Sequence, residues 1–124
     1  MREAVVEAVL DLAAIVPPGR VLSYGDVAEL LDVGGPRLVG RIMSLHGDAA
    51  PWWRIIRANG SLPDELMERA VVHYRREGTP LAAPAAGPAK VRMAQARWMP
   101  QEEEFAAIER LRRKVSEPTD GMGA

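Results

Sequence analysis

The fold is decided by residues 18–40, which read PGRVLSYGDVAELLDVGGPRLVG. Ser23 followed three residues later by Asp26 has the form of a capping box, with aspartate in place of the usual glutamate, and predicts a helix over residues 24–31. The glycines after this segment supply a flexible turn, and Pro36 stands where proline is favoured, in the first turn of the next helix. Two short helices joined by a glycine turn predict a helix-turn-helix.

The second helix of this motif is expected to run from Pro36 to His46 or Gly47 and to carry two stripes of opposite character. Apolar residues recur at i, i+4 and i+7, and a polar set repeats that spacing one residue earlier. The apolar stripe is expected to face the core and comprises Leu38, Ile42 and Leu45. The polar stripe is expected to face outward and comprises Arg37, Arg41 and Ser44.

Hydrophobic periodicity and the breakers between segments predict the remaining elements. They are an amphipathic helix over residues 3–16, an extended link over 20–22, a strand over 54–57, a helix from Asp64 as its cap to Gly78, an irregular connection over 79–89 and a terminal helix over 101–115. Residues 1–100 are expected to form one domain, to which the terminal helix is added. Residues 116–124 are expected to be a disordered tail.

Charge is distributed unevenly along the chain, although the net charge is only −1. Residues 1–32 hold two basic against six acidic residues, and residues 63–124 hold ten of each. Residues 33–62 hold four arginines against one aspartate, so the middle of the chain is the expected electropositive surface. Arginine suits phosphate because its planar guanidinium offers a fork of donors.

The absence of cysteine excludes disulfides, thiolate metal sites and thiol nucleophiles. The two histidines, His46 and His73, lack a metal-ligand spacing, so neither a metal site nor a cofactor is expected. No apolar run approaches the ~20 residues of a membrane span, and the N-terminus lacks the basic start and apolar middle of a secretory signal. A cytoplasmic, nucleoid-associated protein without membrane contact is therefore expected.

Three segments in fixed order, residues 18–28, 36–40 and 51–56, resemble the DNA-binding domain of the alkylguanine-DNA alkyltransferases. The family's patterns are Pro-x-Gly-(Lys/Arg)-Val-x-x-Tyr-Gly-x-(Ile/Val)-Ala, then Arg-x-Val-Gly, then Pro-Cys-His-Arg. The resemblance covers roughly residues 1–100. It implies a mainly α fold, an alkyltransferase-type winged helix-turn-helix with a short strand and loop wing, and here an extra C-terminal helix.

The departure from the family pattern lies at its active site. The nucleophilic cysteine is replaced by Trp52, as in the alkyltransferase-like branch, and the histidine after it is replaced by Trp53. No side chain is left to accept an alkyl group, so the chain is expected not to be an enzyme. In some relatives a basic residue after the Asn-Gly turn contributes to the pocket, but residues 61–65 contain none here.

The resemblance also assigns roles to individual residues. Arg37 would be the finger that enters the base stack, and Tyr24 would press on the flanking phosphate and drive rotation of the nucleotide. The expected lesion pocket comprises Tyr24, Trp52 and Trp53, although Trp53 is expected to serve mainly as packing. Candidate phosphate contacts are Arg41, Ser44 and Arg57. Structural positions of the motif are Gly40, Pro51 and Arg54, the last as a brace of the active-site loop.

The resemblance implies a monomeric sensor that binds O6-alkylguanine in double-stranded DNA. It would flip the nucleotide through minor-groove contacts, which are largely blind to sequence, and present it to nucleotide excision repair proteins. Two other functions remain open. A helix-turn-helix regulator would read the major groove, normally as a dimer, and a protein-interaction module would have kept the fold and lost DNA binding.

Overall fold

The computed structural model describes residues 2–82 and 87–117. The helices are α1 (Glu3–Ile15), α2 (Tyr24–Leu31), α3 (Pro36–His46), α4 (Asp64–Glu77), α5 (Met93–Ala96) and α6 (Glu102–Ser116). The strands are β1 (Leu22–Ser23), β2 (Ile55–Ile56), β3 (Leu81–Ala82) and β4 (Lys90–Val91), and two 3-10 turns span Gly47–Ala49 and Trp52–Arg54. None of the helices in the described ranges is long and apolar enough to cross a bilayer.

The helix-turn-helix is confirmed, and local interactions fix its boundaries. The Ser23 hydroxyl accepts a hydrogen bond from the Asp26 amide at 3.0 Å, and the Asp26 carboxylate accepts one from the Ser23 amide at 2.9 Å. This capping box starts α2 as predicted. The helix ends at Leu31, and its C-cap Asp32 adopts the left-handed conformation with φ 55°. Pro36 starts α3.

The core consists of two apolar clusters. The first packs α1, α2, α3 and α6 together, and the second packs β2, α4 and α5. Tyr24 and Trp52 contact both clusters. These two side chains therefore lie where the helix-turn-helix meets the rest of the fold.

The prediction for the apolar stripe of α3 was wrong in part. The buried residues are Val39, Ile42 and Met43, while Leu38 is half-buried and Leu45 is 59% exposed. At ~100° per residue, Leu45 lies about 110° round the axis from the centre of the buried arc. It therefore joins the exposed side of the helix instead of the core.

Short paired strands form where the sequence predicted an extended link and an irregular connection. The segment 20–22 was expected to be a link, but β1 pairs in parallel with β2, with Leu22 opposite Ile55. The predicted strand is confirmed at Ile55–Ile56, without its flanking arginines. In the connection 79–89, Leu81–Ala82 form β3, which pairs in antiparallel fashion with β4 directly after the connection. Backbone pairing with another segment of the chain produces these strands. Residues 83–86 of the connection lie outside the described ranges.

The remaining boundaries differ from the predictions by one or two residues. Asp64 does not cap α4, because Pro63 occupies the cap position and no side chain accepts there. The terminal helix begins after a capping box between Gln101 and Glu104 and continues to Ser116. The predicted tail therefore does not include Ser116, and residues 118–124 lie outside the described ranges.

Candidate nucleic-acid interface

An open cleft of about 340 Å³ lies between the helix-turn-helix and the start of α4. Its apolar lining comprises Met43, Trp52, Ile55, Leu62, Pro63 and Leu66. Its polar lining comprises Tyr24, Ser44, Asp48, Arg57 and Arg69. The volume falls within the range of about 300–1,000 Å³ typical of small-ligand pockets. Within the described residues, no group of three or more histidines or acidic residues could hold a metal ion.

Tyr24 forms one wall of the cleft, and its ring packs directly on α3. A Cβ atom at Gly40 would lie 3.3 Å from Cε2 of Tyr24, so glycine permits this close approach. Burial raises the pKa of the Tyr24 hydroxyl, and the charge of Arg57 only partly opposes this. At neutral pH the hydroxyl is therefore protonated and can donate a hydrogen bond to a phosphate.

Trp52 also lines the cleft, in the 3-10 turn before β2. The guanidinium carbon of Arg69 lies 5.2 Å from the centroid of the Trp52 ring, a cation–π distance. The rings of Trp53 and His73 meet the ring of Trp52 edge to face at 5.6 and 5.9 Å between centroids. Trp52 is thus held by aromatic contacts with its neighbour in the turn and with α4.

Trp53 contacts Trp52 and packs against α4. Trp53 is not among the described residues that line the cleft, although the sequence predicted it to belong to the lesion pocket. Its ring stacks on His73 at 3.6 Å with an interplanar angle of 7°, and its indole nitrogen donates to Glu77 at 3.0 Å. The Tyr74 hydroxyl donates to the Trp53 carbonyl at 2.7 Å. The packing role expected for Trp53 agrees with this geometry.

Glu77 fastens the loop that carries the two tryptophans. Its carboxylate accepts hydrogen bonds from Arg54 at 2.6 and 3.2 Å, from the Gly19 amide at 3.1 Å and from Trp53. Arg54 also donates to the Val16 carbonyl at 3.1 Å, which fits its expected bracing role. Burial raises the pKa of Glu77, but these donors outweigh burial and hold the pKa below its ordinary value.

The sequence-predicted contact residues fall into two groups. Ser44, Arg57, Trp52 and Tyr24 line the cleft together. Arg37 and Arg41 are exposed along α3 outside the lining, with Arg37 in the first turn of the helix. Pro51 precedes the tryptophan turn and is half-buried. An arginine stripe therefore leads along α3 towards a cleft that is mainly apolar.

The sequence did not identify Arg69 or Asp48 as residues of the site. Both line the cleft, and Arg69 supplies from α4 a basic side chain that residues 61–65 lack. No sequence signal identifies Arg69, because β2, a loop and the start of α4 separate it from Trp52 in the chain. Only the packing of α4 beneath the tryptophan turn brings the two together.

Comparison with known proteins identifies the fold and the family. The sequence model described as the 6-O-methylguanine DNA methyltransferase DNA-binding domain matches residues 4–79, more than half of the chain. The chain belongs to this family. The resemblance recognised from the three motifs is thereby confirmed, and so is the mainly helical alkyltransferase-type fold.

Two solved structures of this fold contain DNA. S. pombe Atl1 in complex with damaged DNA containing O6-carboxymethylguanine is 26% identical, with a TM-score of 0.70, and the match covers 81% of this chain and 99% of that chain. S. pombe ATL in complex with DNA is 25% identical, with a TM-score of 0.70, and the match covers 81% of this chain and 100% of that chain. No curated protein sequence matches the chain.

Proposed function

We propose that this protein binds double-stranded DNA containing O6-alkylguanine and holds the alkylated base in the cleft without removing the alkyl group. The observation that carries the proposal is the position of Trp52, which replaces the family's nucleophile and faces a mainly apolar cleft of suitable size. The damaged DNA bound by S. pombe Atl1 supports the same class of ligand. A flat aromatic ring can stack on the flipped base. The apolar lining suits the alkyl group, which binding removes from water.

Flipping a base out of the duplex costs a few kcal/mol, which protein contacts must offset. Arg37 lies exposed in the first turn of α3, where its side chain can enter the space that the base leaves. Tyr24 holds a protonated hydroxyl at the cleft wall and acts on the flanking phosphate. Arg41 and Arg57 supply further phosphate contacts. Ser44 lines the rim of the cleft and adds a hydroxyl.

The bound lesion keeps its alkyl group because the cleft offers no competent nucleophile. The 124 residues contain no cysteine, and a serine hydroxyl such as that of Ser44 is a weak nucleophile without an activating base. Because the sensor repairs nothing itself, other proteins must complete the repair. We therefore include presentation to nucleotide excision repair proteins in the proposal, by a monomer acting on the nucleoid in the cytoplasm.

The direct test compares otherwise identical duplexes that carry guanine or O6-methylguanine. We expect at least about tenfold tighter binding to the alkylated duplex, or ~1.4 kcal/mol, measured by competition at fixed salt. A labelled methyl group should stay on the DNA after prolonged incubation. Preference for one sequence regardless of alkylation would favour a regulator, and failure to bind either duplex would favour an interaction module. Stoichiometric transfer of the label to protein would exclude the sensor.

Replacing Arg37 by alanine should weaken binding to both duplexes and weaken the alkylated one more, because the finger acts on the flipping step. We expect a loss of roughly 1 kcal/mol, or about fivefold in Kd, for the lesion. The control is Arg41→Ala, which removes the same charge one turn further along α3 and should weaken both duplexes equally. If Arg37→Ala leaves lesion affinity unchanged, the finger assignment is wrong.

A further inference from the structure

The terminal helix α6 carries its charges in two separate halves. Its first turn holds three glutamates, Glu102, Glu103 and Glu104. The segment from Glu109 to Ser116 holds one acidic residue against four cations, which are Arg110, Arg112, Arg113 and Lys114. The balanced charge of residues 63–124 therefore conceals a basic end on this helix.

Two of these cations lie beside the turn of the helix-turn-helix. Arg112 and Arg113, which we call the terminal basic patch, help to line a shallow depression of about 380 Å³. The same lining includes Leu31 and Asp32, the last residue of α2 and its C-cap. Packing of α6 on α1 and α2 thus places the patch next to the turn that leads to Arg37.

The contacts within the described residues leave these guanidinium groups available. Arg112 and Arg113 both reach Glu109, on the same helix, at 3.5 Å, and their side chains are 47% and 73% exposed. Exposed pairs of this kind contribute little to stability. Arg2, in contrast, donates to the carbonyl of Val115 at 2.9 Å and fastens the end of α6 to the N-terminus. The helix end is therefore fixed while the patch faces solvent.

Helix α6 lies outside the segment that matches the family, residues 4–79. In both comparisons, 81% of this chain matches nearly the whole of the S. pombe chain. About a fifth of this chain is therefore without a counterpart there. We propose that the terminal basic patch binds the phosphate backbone of the duplex beside the lesion and adds its contacts to those of α3. The inference rests on the proposed function, because it takes α3 as the element that enters DNA.

The turn of the helix-turn-helix connects the residues beside the patch to the finger on α3. Asp32 and Arg37 are five residues apart, so their Cα atoms are at most about 18 Å apart. Each strand presents a phosphate every ~3.4 Å of helix axis, so Asp32, which lines the depression together with the patch, lies within about five base pairs of the finger. Guanidinium groups bind phosphate oxygens through paired donors. Backbone contacts carry no base information, so the patch strengthens binding to damaged and undamaged DNA alike.

The test uses the full chain with Arg112→Gln and Arg113→Gln combined. Affinity for guanine and O6-methylguanine duplexes is measured between about 50 and 200 mM salt. We expect the slope of log K against log salt to become shallower by about 1–2. The loss of affinity relative to wild type should therefore shrink by about tenfold from the lowest to the highest salt. Both duplexes should weaken by the same factor, which leaves the lesion preference unchanged.

The matched control combines Arg75→Gln and Arg76→Gln. These arginines also end a helix, α4, and their loss changes the net charge equally. They line neither the cleft nor the depression beside Asp32, so the salt slope should change less than in the Arg112 and Arg113 variant.

Two results would overturn the proposal. An unchanged slope in the Arg112 and Arg113 variant would show that the patch does not bind DNA. The patch would then bind a protein partner or only stabilise the helix through its dipole. Equal slope changes in both double variants would show a general charge effect instead of a local contact. If the wild-type protein binds both duplexes equally, the proposed function fails, whereas the slope on undamaged duplex still decides whether the patch contacts DNA.

Discussion

Replacing Trp52 by alanine is expected to remove most of the preference for O6-methylguanine over guanine while affinity for undamaged duplex stays nearly constant. The variant loses the ring that lines the cleft, and with it stacking worth about 1–3 kcal/mol per base. The lesion preference should therefore fall by about 5-fold to 150-fold. The arginines of α3 are untouched, so the salt dependence of binding should not change. Competition between the two duplexes at several salt concentrations measures both quantities.

Trp53→Ala is the control, because Trp53 stacks on His73 and hydrogen-bonds Glu77 outside the cleft lining. Its removal should lower the free energy of unfolding by about 3 kcal/mol, as large aromatic truncations do. Trp52→Phe keeps an aromatic face and should retain part of the preference. If Trp53 governs discrimination and Trp52 only stability, the pocket lies elsewhere and the assignment taken from the family motif fails.

Replacing Glu77 by glutamine is expected to lower the free energy of unfolding by roughly 3 kcal/mol at neutral pH, the scale of a broken buried ion pair. The side chains of Arg54 and Glu77 are 14% and 11% exposed, so water cannot replace the lost partner freely. A neutral amide would leave the guanidinium of Arg54 without its counter-charge. Denaturant unfolding compares the variant with Glu68→Gln, an exposed position on the same helix, which should shift stability by less than about 0.5 kcal/mol.

The pH dependence of this difference provides a second readout. The hydrogen bonds hold the pKa of Glu77 below its ordinary value of 4.5, so the folded state favours the charged carboxylate. Its contribution is therefore complete above pH 4.5 and is lost as the pH falls through the lower pKa of the folded state. The stability gap between wild type and Glu77→Gln should narrow below pH 4.5. A gap that stays constant from neutral to acidic pH would show that the charge of Glu77 is not what stabilises the loop.

Local sequence signals were sufficient wherever the deciding contact spans a few residues. Ser23 and Asp26 complete a capping box within one turn, and Pro36 starts α3 without needing a distant partner. These interactions depend only on residues three or four apart, so they could be predicted before the tertiary structure was known. The replacement of the family's cysteine by Trp52 is likewise visible in the sequence alone.

The buried face of a helix was harder to predict, because it depends on which elements pack against the helix. Leu45 has the spacing of a core residue after Leu38 and Ile42, yet where α3 packs against α1 and α2 the buried residues are Val39, Ile42 and Met43. Periodicity identifies that a helix has an apolar face, but several overlapping arcs fit the same pattern. The choice among them is made by the neighbouring helices.

The composition of the site was decided by contacts between residues far apart in the chain. Trp52 meets Arg69, and Trp53 meets His73 and Glu77, only because α4 packs beneath the tryptophan turn. The sequence by itself determined the helix-turn-helix and the loss of the thiol, since each depends on neighbouring residues or on one residue's identity. The tertiary structure alone decided which tryptophan faces the cleft and where the arginines of α6 lie, because packing fixes the direction of a side chain and sequence order does not.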